Sequence, residues 1–110
     1  MARQLLTDFE LMLVLAILRT GDEAYGVEIA REIERSCGRR VVLAAAYAAL
    51  DRLEERKLVS SRLGNPTPER GGRAKRFFTV TTRGIRAARD TQEAFVTLWR
   101  DLPQLRERLP

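Results

Sequence analysis

The sequence contains no histidine and only one cysteine, Cys37, among its 110 residues. Histidine is the commonest general base and the commonest metal ligand in proteins, so its absence removes most familiar catalytic and metal sites. A single cysteine excludes an intrachain disulfide bond and any zinc site built from several thiolates. No paired-carboxylate pattern or glycine-rich phosphate loop replaces them. We therefore expect a protein that is not an enzyme and that holds no metal or other cofactor.

Long hydrophobic runs are also missing, because no apolar stretch reaches 18 residues, and this excludes a membrane-spanning helix. Asp8 and Glu10 interrupt the apolar start of the chain, which offers no small-residue cleavage site. We therefore expect no signal peptide and a cytoplasmic protein. Apolar residues make up 45% and charged residues 32% of the sequence, which is typical of a single globular domain of this length.

The formal net charge is only +5, but the charge is unevenly distributed along the chain. Residues 1–55 carry a net charge of −3, residues 56–89 carry +9 and residues 90–110 carry −1. Such a concentration of positive charge in one third of a small domain is typical of a surface that binds a polyanion. A solvated basic surface without a partner is the alternative interpretation.

A capping box predicts the first helix. Thr7 and Glu10 can satisfy each other's backbone N–H groups, and the helix should run to about Arg19 and stop at Gly21. Residues 11–18 are apolar without interruption, whereas a helix that packs on one side only shows a polar stripe. This helix is therefore either central to the fold or covered on its second face by another chain.

Two further helices are predicted, at about residues 26–37 and 44–57. Gly38 ends the second helix, and Cys37 at the end of its apolar stripe is expected to be a packed residue rather than a reactive thiol. Residues 41–43 are expected to form a short extended stretch before the alanine-rich third helix. Its inner face is expected to comprise Tyr47, Leu50 and Leu53, while Ala45, Ala48, Ala49, Arg52 and Arg56 point elsewhere.

Two alternating segments, residues 58–63 and 75–81, predict a β-hairpin with a long loop rich in turn-forming and basic residues. A fourth helix should open at Thr82. Pro103 cannot continue the hydrogen bonding of the preceding turn, so a kink or break is expected near residues 101–102. Apolar residues recur along this helix at the spacing of coiled-coil a and d positions: Phe95, Leu98, Leu102, Leu105 and Leu109.

The order helix, helix, helix, strand, basic loop, strand, helix predicts a mainly α fold with a small β-hairpin, a winged helix-turn-helix. In this fold the third helix enters the major groove of DNA, and the hairpin, or wing, reaches phosphates or the minor groove. Double-stranded DNA is therefore the expected partner. The residues expected to contact it are Tyr47, Arg52 and Arg56 on the third helix and Arg70, Arg73, Lys75 and Arg76 on the wing.

Several segments, in order and with matching gaps, resemble the PadR family of bacterial transcriptional regulators. They are residues 6–10 (LTDFE), 24–29 (AYGVEI), 47–55 (YAALDRLEE) and 70–81 (RGGRAKRFFTVT), followed by Gly84. The resemblance implies a homodimeric winged-helix repressor of the short subclass, which has a single C-terminal helix. Residues 1–81 would then form the DNA-binding domain and residues 82–110 the C-terminal dimerisation helix.

In that family the first and last helices form the dimer interface, which agrees with the apolar first helix and the apolar seam of the fourth. The interface is expected to include Leu11, Val14, Leu15, Phe95, Leu98, Trp99 and Leu102. In some relatives an interfacial aromatic side chain lines a pocket for planar aromatic effectors, and the resemblance implies this role for Trp99. The alternative is that Trp99 anchors the interface or core without any ligand.

The third helix departs from the family pattern. Alanines surround Tyr47, where relatives usually have glycine or a polar residue before the tyrosine and often proline after it, and Lys57 replaces a usual glycine. Alanine offers a base only apolar contact, for example with a thymine methyl group. Specificity is therefore either modest and shape-based, or carried mainly by Tyr47, Arg52 and the wing. A second function also stays open, namely a winged-helix protein–protein interaction module that does not read DNA sequence.

Overall fold

The computed structural model describes residues 3–65 and 74–106. It contains a mainly helical fold with one antiparallel β-hairpin, so the predicted fold class is confirmed. The elements are α1 (Asp8–Thr20), a 3-10 turn (Gly21–Glu23), α2 (Gly26–Cys37), α3 (Leu43–Glu55), β1 (Val59–Leu63), β2 (Arg76–Val80), α4 (Thr82–Trp99) and a second 3-10 turn (Pro103–Leu105). None of the helices in the described ranges is long and apolar enough to cross a membrane.

Helix α1 begins and ends where its sequence predicts. The Thr7 hydroxyl accepts a hydrogen bond from the Glu10 N–H at 3.2 Å, and the Glu10 carboxylate accepts one from the Thr7 N–H at 2.9 Å. These two bonds satisfy backbone donors that the first turn of a helix leaves without partners. Gly21, with φ of 83°, ends the helix.

The core is enclosed by the first three helices, the hairpin and the first half of α4. Its largest fully buried side chains include Phe78, Leu13, Ile29, Leu50, Leu53 and Leu58. Ser61 lies opposite Phe78 in the hairpin register, and the buried residues of the two strands are Val59 and Phe78. The free edge of β2 pairs with the turn before α2, where the Phe78 N–H donates to the Ala24 carbonyl at 2.8 Å. The wing is thereby fixed to α2 as well as to the core.

Helix α3 differs in two details from its prediction. It begins at Leu43 and ends at Glu55. The helix ends there because Lys57 adopts φ of 65° and turns the chain toward β1. Ala49, which was expected to point outward, is fully buried. It lies four residues before Leu53 and therefore on the same inward side of the helix.

The end of α2 also corrects a prediction. Cys37 is exposed, whereas it was expected to be packed. The last buried residue of α2 is Ile33, and the Cys37 thiol lies 3.2 Å from the Ile33 carbonyl oxygen. The apolar stripe of α2 therefore ends one turn before the helix does.

Helix α4 joins the core through its first half only. Thr81 caps the helix by accepting a hydrogen bond from the Gly84 N–H at 3.1 Å, and the buried Thr91 hydroxyl accepts one from the Leu6 N–H at 2.9 Å. After Thr91 no residue of α4 is buried. The predicted break before Pro103 is present, because α4 ends at Trp99. Leu109, the last residue of the predicted apolar seam, lies outside the described residues.

Candidate nucleic-acid interface

Helix α2, the turn at residues 38–42 and α3 form the helix-turn-helix unit. Gly38 ends α2 with φ of 73°, and the Glu34 carboxylate accepts a hydrogen bond from the Val41 N–H at 3.1 Å, which fastens the turn to α2. The inner side of α3 is buried. Its exposed side begins with Leu43 and otherwise consists of small and charged residues, namely Ala44, Ala45, Ala48, Asp51, Arg52 and Glu55.

Tyr47 is partly buried between the two helices of this unit. A Cβ atom on Gly26, the first residue of α2, would collide with the Tyr47 hydroxyl and ring. The glycine therefore leaves the space that the tyrosine fills, and Tyr47 joins α3 to the start of α2. Arg52, in contrast, is exposed and takes part in no ion pair with the described residues.

Arg56 points toward α1. Its Nη1 atom lies 3.1 Å from Oε2 of Glu10, whose other carboxylate oxygen caps α1. Both side chains are largely shielded from solvent. The structure therefore places a residue that was expected to contact DNA in an internal ion pair, which joins the end of α3 to the start of α1.

Arg76 is the centre of a second internal cluster. Its Nη1 atom lies 2.8 Å from Asp51 Oδ1, its Nη2 atom lies 2.5 Å from Glu54 Oε1, and its Nε–H donates to the Ser61 hydroxyl at 3.2 Å. The guanidinium carbon also lies 4.8 Å from the centre of the Phe78 ring. Three elements, α3, β1 and β2, therefore meet at one guanidinium group.

The pKa values of Glu54 and Arg76 both shift in the direction that favours the charged form of each group. Burial by itself would raise the pKa of Glu54, but hydrogen bonds from Ser61 and Arg76 hold that pKa below its ordinary value. Burial alone would lower the pKa of Arg76, but the carboxylates of Asp51 and Glu54 hold it above its ordinary value. Because the pKa of Glu54 is lowered in the folded protein, its carboxylate becomes protonated, and the cluster loses that charge, only when the pH falls to the lowered pKa.

Lys75 and Arg62 lie over aromatic rings at the base of the wing. The Lys75 Nζ atom is 4.5 Å from the centre of the Tyr25 ring, and the Arg62 guanidinium is 4.7 Å from the centre of the Phe77 ring. The two rings meet edge to face, with centroids 6.0 Å apart. Cation–π contacts of this kind orient a cation without neutralising it. Sequence reasoning missed Arg62 as a site residue, although its place opposite Phe77 in the hairpin could have identified it.

Sequence reasoning also missed Arg40, in the turn between α2 and α3. It is exposed and forms no ion pair within the described part of the chain. Its neighbour Arg39 instead contacts Asp8 at 3.4 Å. Two consecutive arginines between predicted helices were the available signal. Arg70 and Arg73, predicted on the wing loop, lie outside the described residues.

A groove of about 440 Å³ lies between α1 and α4. Large apolar side chains line it and remain partly exposed, with Leu15 at 46%, Phe95 at 55% and Trp99 at 62% of their full exposure. An apolar surface of this kind is typical of a region that another molecule covers. The lining residues are Leu11, Leu15, Leu18, Ile85, Ala88, Arg89, Gln92, Phe95, Val96 and Trp99.

The structure thus brings together four of the seven residues predicted for the dimer interface: Leu11, Leu15, Phe95 and Trp99. Leu98 and Leu102 are exposed but do not line the groove. Val14 is fully buried in the core of its own chain and has no surface to offer a partner. Residues 3–65 and 74–106 contain no group of His, Cys, Asp and Glu side chains that could hold a metal ion.

Comparison with known sequences identifies one family. The family model for "Transcriptional regulator PadR-like family" matches residues 14–90, which is more than half of the chain. This match spans the helix-turn-helix unit, the wing and the first half of α4. The comparison with curated proteins found no match to the chain.

Solved structures share the fold. A transcriptional regulator from Clostridium thermocellum is 19% identical, with a TM-score of 0.71 over 89% of this chain and 92% of that one. A PadR-like transcriptional regulator from Bacillus cereus is 17% identical, with a TM-score of 0.69 over 92% of this chain and 93% of that one. The protein hsRosR, solved in a complex, is 26% identical, with a TM-score of 0.63 over 94% of this chain and 82% of that one. These likenesses confirm the winged-helix fold.

Proposed function

The chain belongs to the PadR-like family of transcriptional regulators, and from this membership we propose that it is a homodimeric repressor of a palindromic operator. Members of the family regulate transcription and are not enzymes. Repression, two-fold assembly and a response to a small molecule are the parts of the proposal that go beyond family membership.

The observation that carries the DNA-binding proposal is a set of exposed or partly exposed cations with no carboxylate partner among the described residues. Arg52 lies on α3, Arg40 in the turn before it, and Arg62 and Lys75 at the base of the wing. We propose that the exposed side of α3 enters the major groove while the other three cations contact phosphates. Tyr47 would contribute through its position between α2 and α3. From their sequence positions, Arg70 and Arg73 would extend the phosphate contacts along the wing.

Footprinting on genomic DNA tests this proposal. We expect protection of a palindromic site with half-sites one helical turn apart, and a steep loss of affinity with salt. Lys75→Gln and Arg40→Gln should each reduce the slope of log affinity against log salt by about 1.8, because each removes one phosphate contact from both subunits of the bound dimer. Fluorescence anisotropy of a labelled duplex at several salt concentrations measures the slope.

Arg35→Gln is the matched control, since it removes one positive charge from an exposed ion pair with Glu32 on α2. Its slope should equal that of the wild type. Binding that is indifferent to salt and to Lys75→Gln would contradict the wing assignment. No protected site at all would favour the alternative, an interaction module without sequence reading.

The dimer proposal rests on the groove between α1 and α4. In a two-fold interface the same surface of both subunits is buried, and half-exposed Leu15 and Phe95 supply an apolar core of the kind such interfaces use. We propose that the second half of α4 packs against the partner's α1 and α4. Leu98 and Leu102 lie outside the groove and would contact the partner beyond it.

Trp99 at the end of the groove supports a further proposal, binding of a planar aromatic effector. The side chain lines the groove and is more than half exposed in the single chain. We expect planar hydrophobic compounds to quench Trp99 fluorescence and to weaken DNA binding over the same concentration range. Trp99→Leu, which keeps an apolar side chain but removes the single tryptophan of the sequence, should make DNA binding insensitive to these compounds. A compound panel that changes neither signal would establish Trp99 as an interface anchor only.

A further inference from the structure

Arg76 lies at the end of the two paired strands that is nearer the loop of the wing. It is the first residue of β2 and pairs in register with Leu63, the last residue of β1. The one backbone bond described farther along the hairpin joins the Gly64 N–H to the Lys75 carbonyl at 2.7 Å. The contacts of Arg76 with Asp51 and Glu54 therefore hold the outer end of the hairpin against α3.

The partners of Arg76 explain why an arginine is needed there. Asp51 and Glu54 lie three residues apart on one side of α3, and Ser61 lies on β1. A guanidinium group carries five donors in a planar fork, so it can bond to all three side chains at once. A lysine ammonium would keep the charge but would not reproduce this planar arrangement.

We propose that Arg76 is a positioning residue and that its cluster with Asp51, Glu54 and Ser61, the wing latch, sets the distance between the wing and α3. DNA recognition by a winged helix requires both elements to reach one duplex together, so a displaced wing loses contacts even when all its cations are intact. Arg76 itself does not contact DNA. This inference rests on the proposed DNA-binding function.

Glu54→Gln separates the latch from a simple charge effect. Removing a negative charge from α3 should tighten binding to DNA if only charge matters. The latch instead predicts binding weakened on the order of fivefold, because the wing is no longer held. The probe is the genomic fragment that the wild-type protein protects. Arg76→Lys should weaken binding to a similar extent, whereas a phosphate contact would accept lysine as a point charge.

The salt dependence supplies a second readout. Glu54→Gln and Arg76→Gln should reduce the salt slope to a similar extent, because a displaced wing loses its phosphate contacts in both variants, although Glu54→Gln removes no cation. The double variant Arg76→Gln/Glu54→Gln should bind about as well as Arg76→Gln alone, because both changes break one cluster. Tighter binding by Glu54→Gln, or additive effects in the double variant, would overturn the proposal.

Amide hydrogen exchange of the free protein distinguishes a failure of the latch from a failure of the proposed DNA-binding function. Exchange at the Gly64 N–H should become at least about fivefold faster in Glu54→Gln and Arg76→Gln, and should stay unchanged in Arg35→Gln, which changes α2 rather than the hairpin. Unchanged exchange in all three variants would overturn the latch whatever the DNA result. Faster exchange in a protein whose wild type binds no DNA would instead overturn the proposed function and reduce the cluster to a structural contact.

Discussion

Replacing Gly84 with alanine is expected to destabilise the protein by about 3 kcal/mol, although alanine is the better helix former by about 1 kcal/mol. A Cβ atom at this position would overlap the backbone carbonyl oxygen of Leu58 and press on Cγ1 of Val80. A backbone carbonyl between α3 and β1 cannot move aside as a flexible side chain does. Gly84 is therefore a point of close approach between α4 and the chain just before the hairpin.

Thermal unfolding at matched protein concentration measures this effect, and a loss of 3 kcal/mol corresponds to about 15 °C in Tm. Arg83→Ala is the control, because Arg83 is the exposed preceding residue of the same helical turn, and it should change stability by no more than about 0.5 kcal/mol. A Gly84→Ala protein as stable as the wild type would show that α4 does not pack this closely.

Replacing Leu15 with glutamate is expected to convert the proposed dimer into monomers. Leu15 is half exposed in the single chain, so the carboxylate can stay in water when the monomer folds. In a two-fold interface the charge would be buried twice without a partner. We expect the dimer dissociation constant to rise at least about 100-fold, and DNA affinity to fall by a similar factor because a monomer holds only one half-site.

Sedimentation equilibrium measures the association state directly. Leu63→Glu is the control for that measurement, since Leu63 is exposed on β1 and outside the groove. It should leave the dimer unchanged. A Leu15→Glu protein that keeps the wild-type molar mass would contradict the proposed interface, and circular dichroism of the same sample would show that the chain is folded.

Local signals explain why the helix and strand order could be predicted. The capping box of Thr7 and Glu10, the stop at Gly38 and the helix break before Pro103 each depend on residues a few positions apart. Such signals are complete within the sequence. The end of α3 differs from its prediction because Lys57 adopts a left-handed backbone conformation, which a lysine side chain does not indicate.

The charge distribution along the sequence located the basic region, but it did not show which of its arginines form ion pairs within the chain. Arg56 and Arg76 were expected to contact DNA. Their carboxylate partners, however, are remote in sequence: 46 residues away for Arg56, and 22 and 25 residues away for Arg76. Only the packing of α3 against α1 and the hairpin brings those groups together. Arg52 and Lys75, with no carboxylate within reach in the described structure, keep the predicted role as a proposal.

The apolar pattern of the sequence also did not show which apolar side chains are buried in the core and which are exposed. Val14 and Leu15 are adjacent in one uninterrupted apolar run, and both were predicted at the dimer interface. The structure buries Val14 completely in the core and leaves Leu15 half exposed in the groove. Adjacent residues of a helix point about 100° apart, so only the placement of the neighbouring elements decides which of them faces a partner.

The sequence by itself determined the order of the elements, the winged-helix class and the concentration of cations around the hairpin, because each depends on neighbouring residues or on composition. Tertiary structure decided which arginines are neutralised inside the chain and which stay exposed. It also decided which leucines form the core and which line the groove. Those distinctions depend on distances between segments that are far apart in sequence, and such distances exist only after the chain has folded.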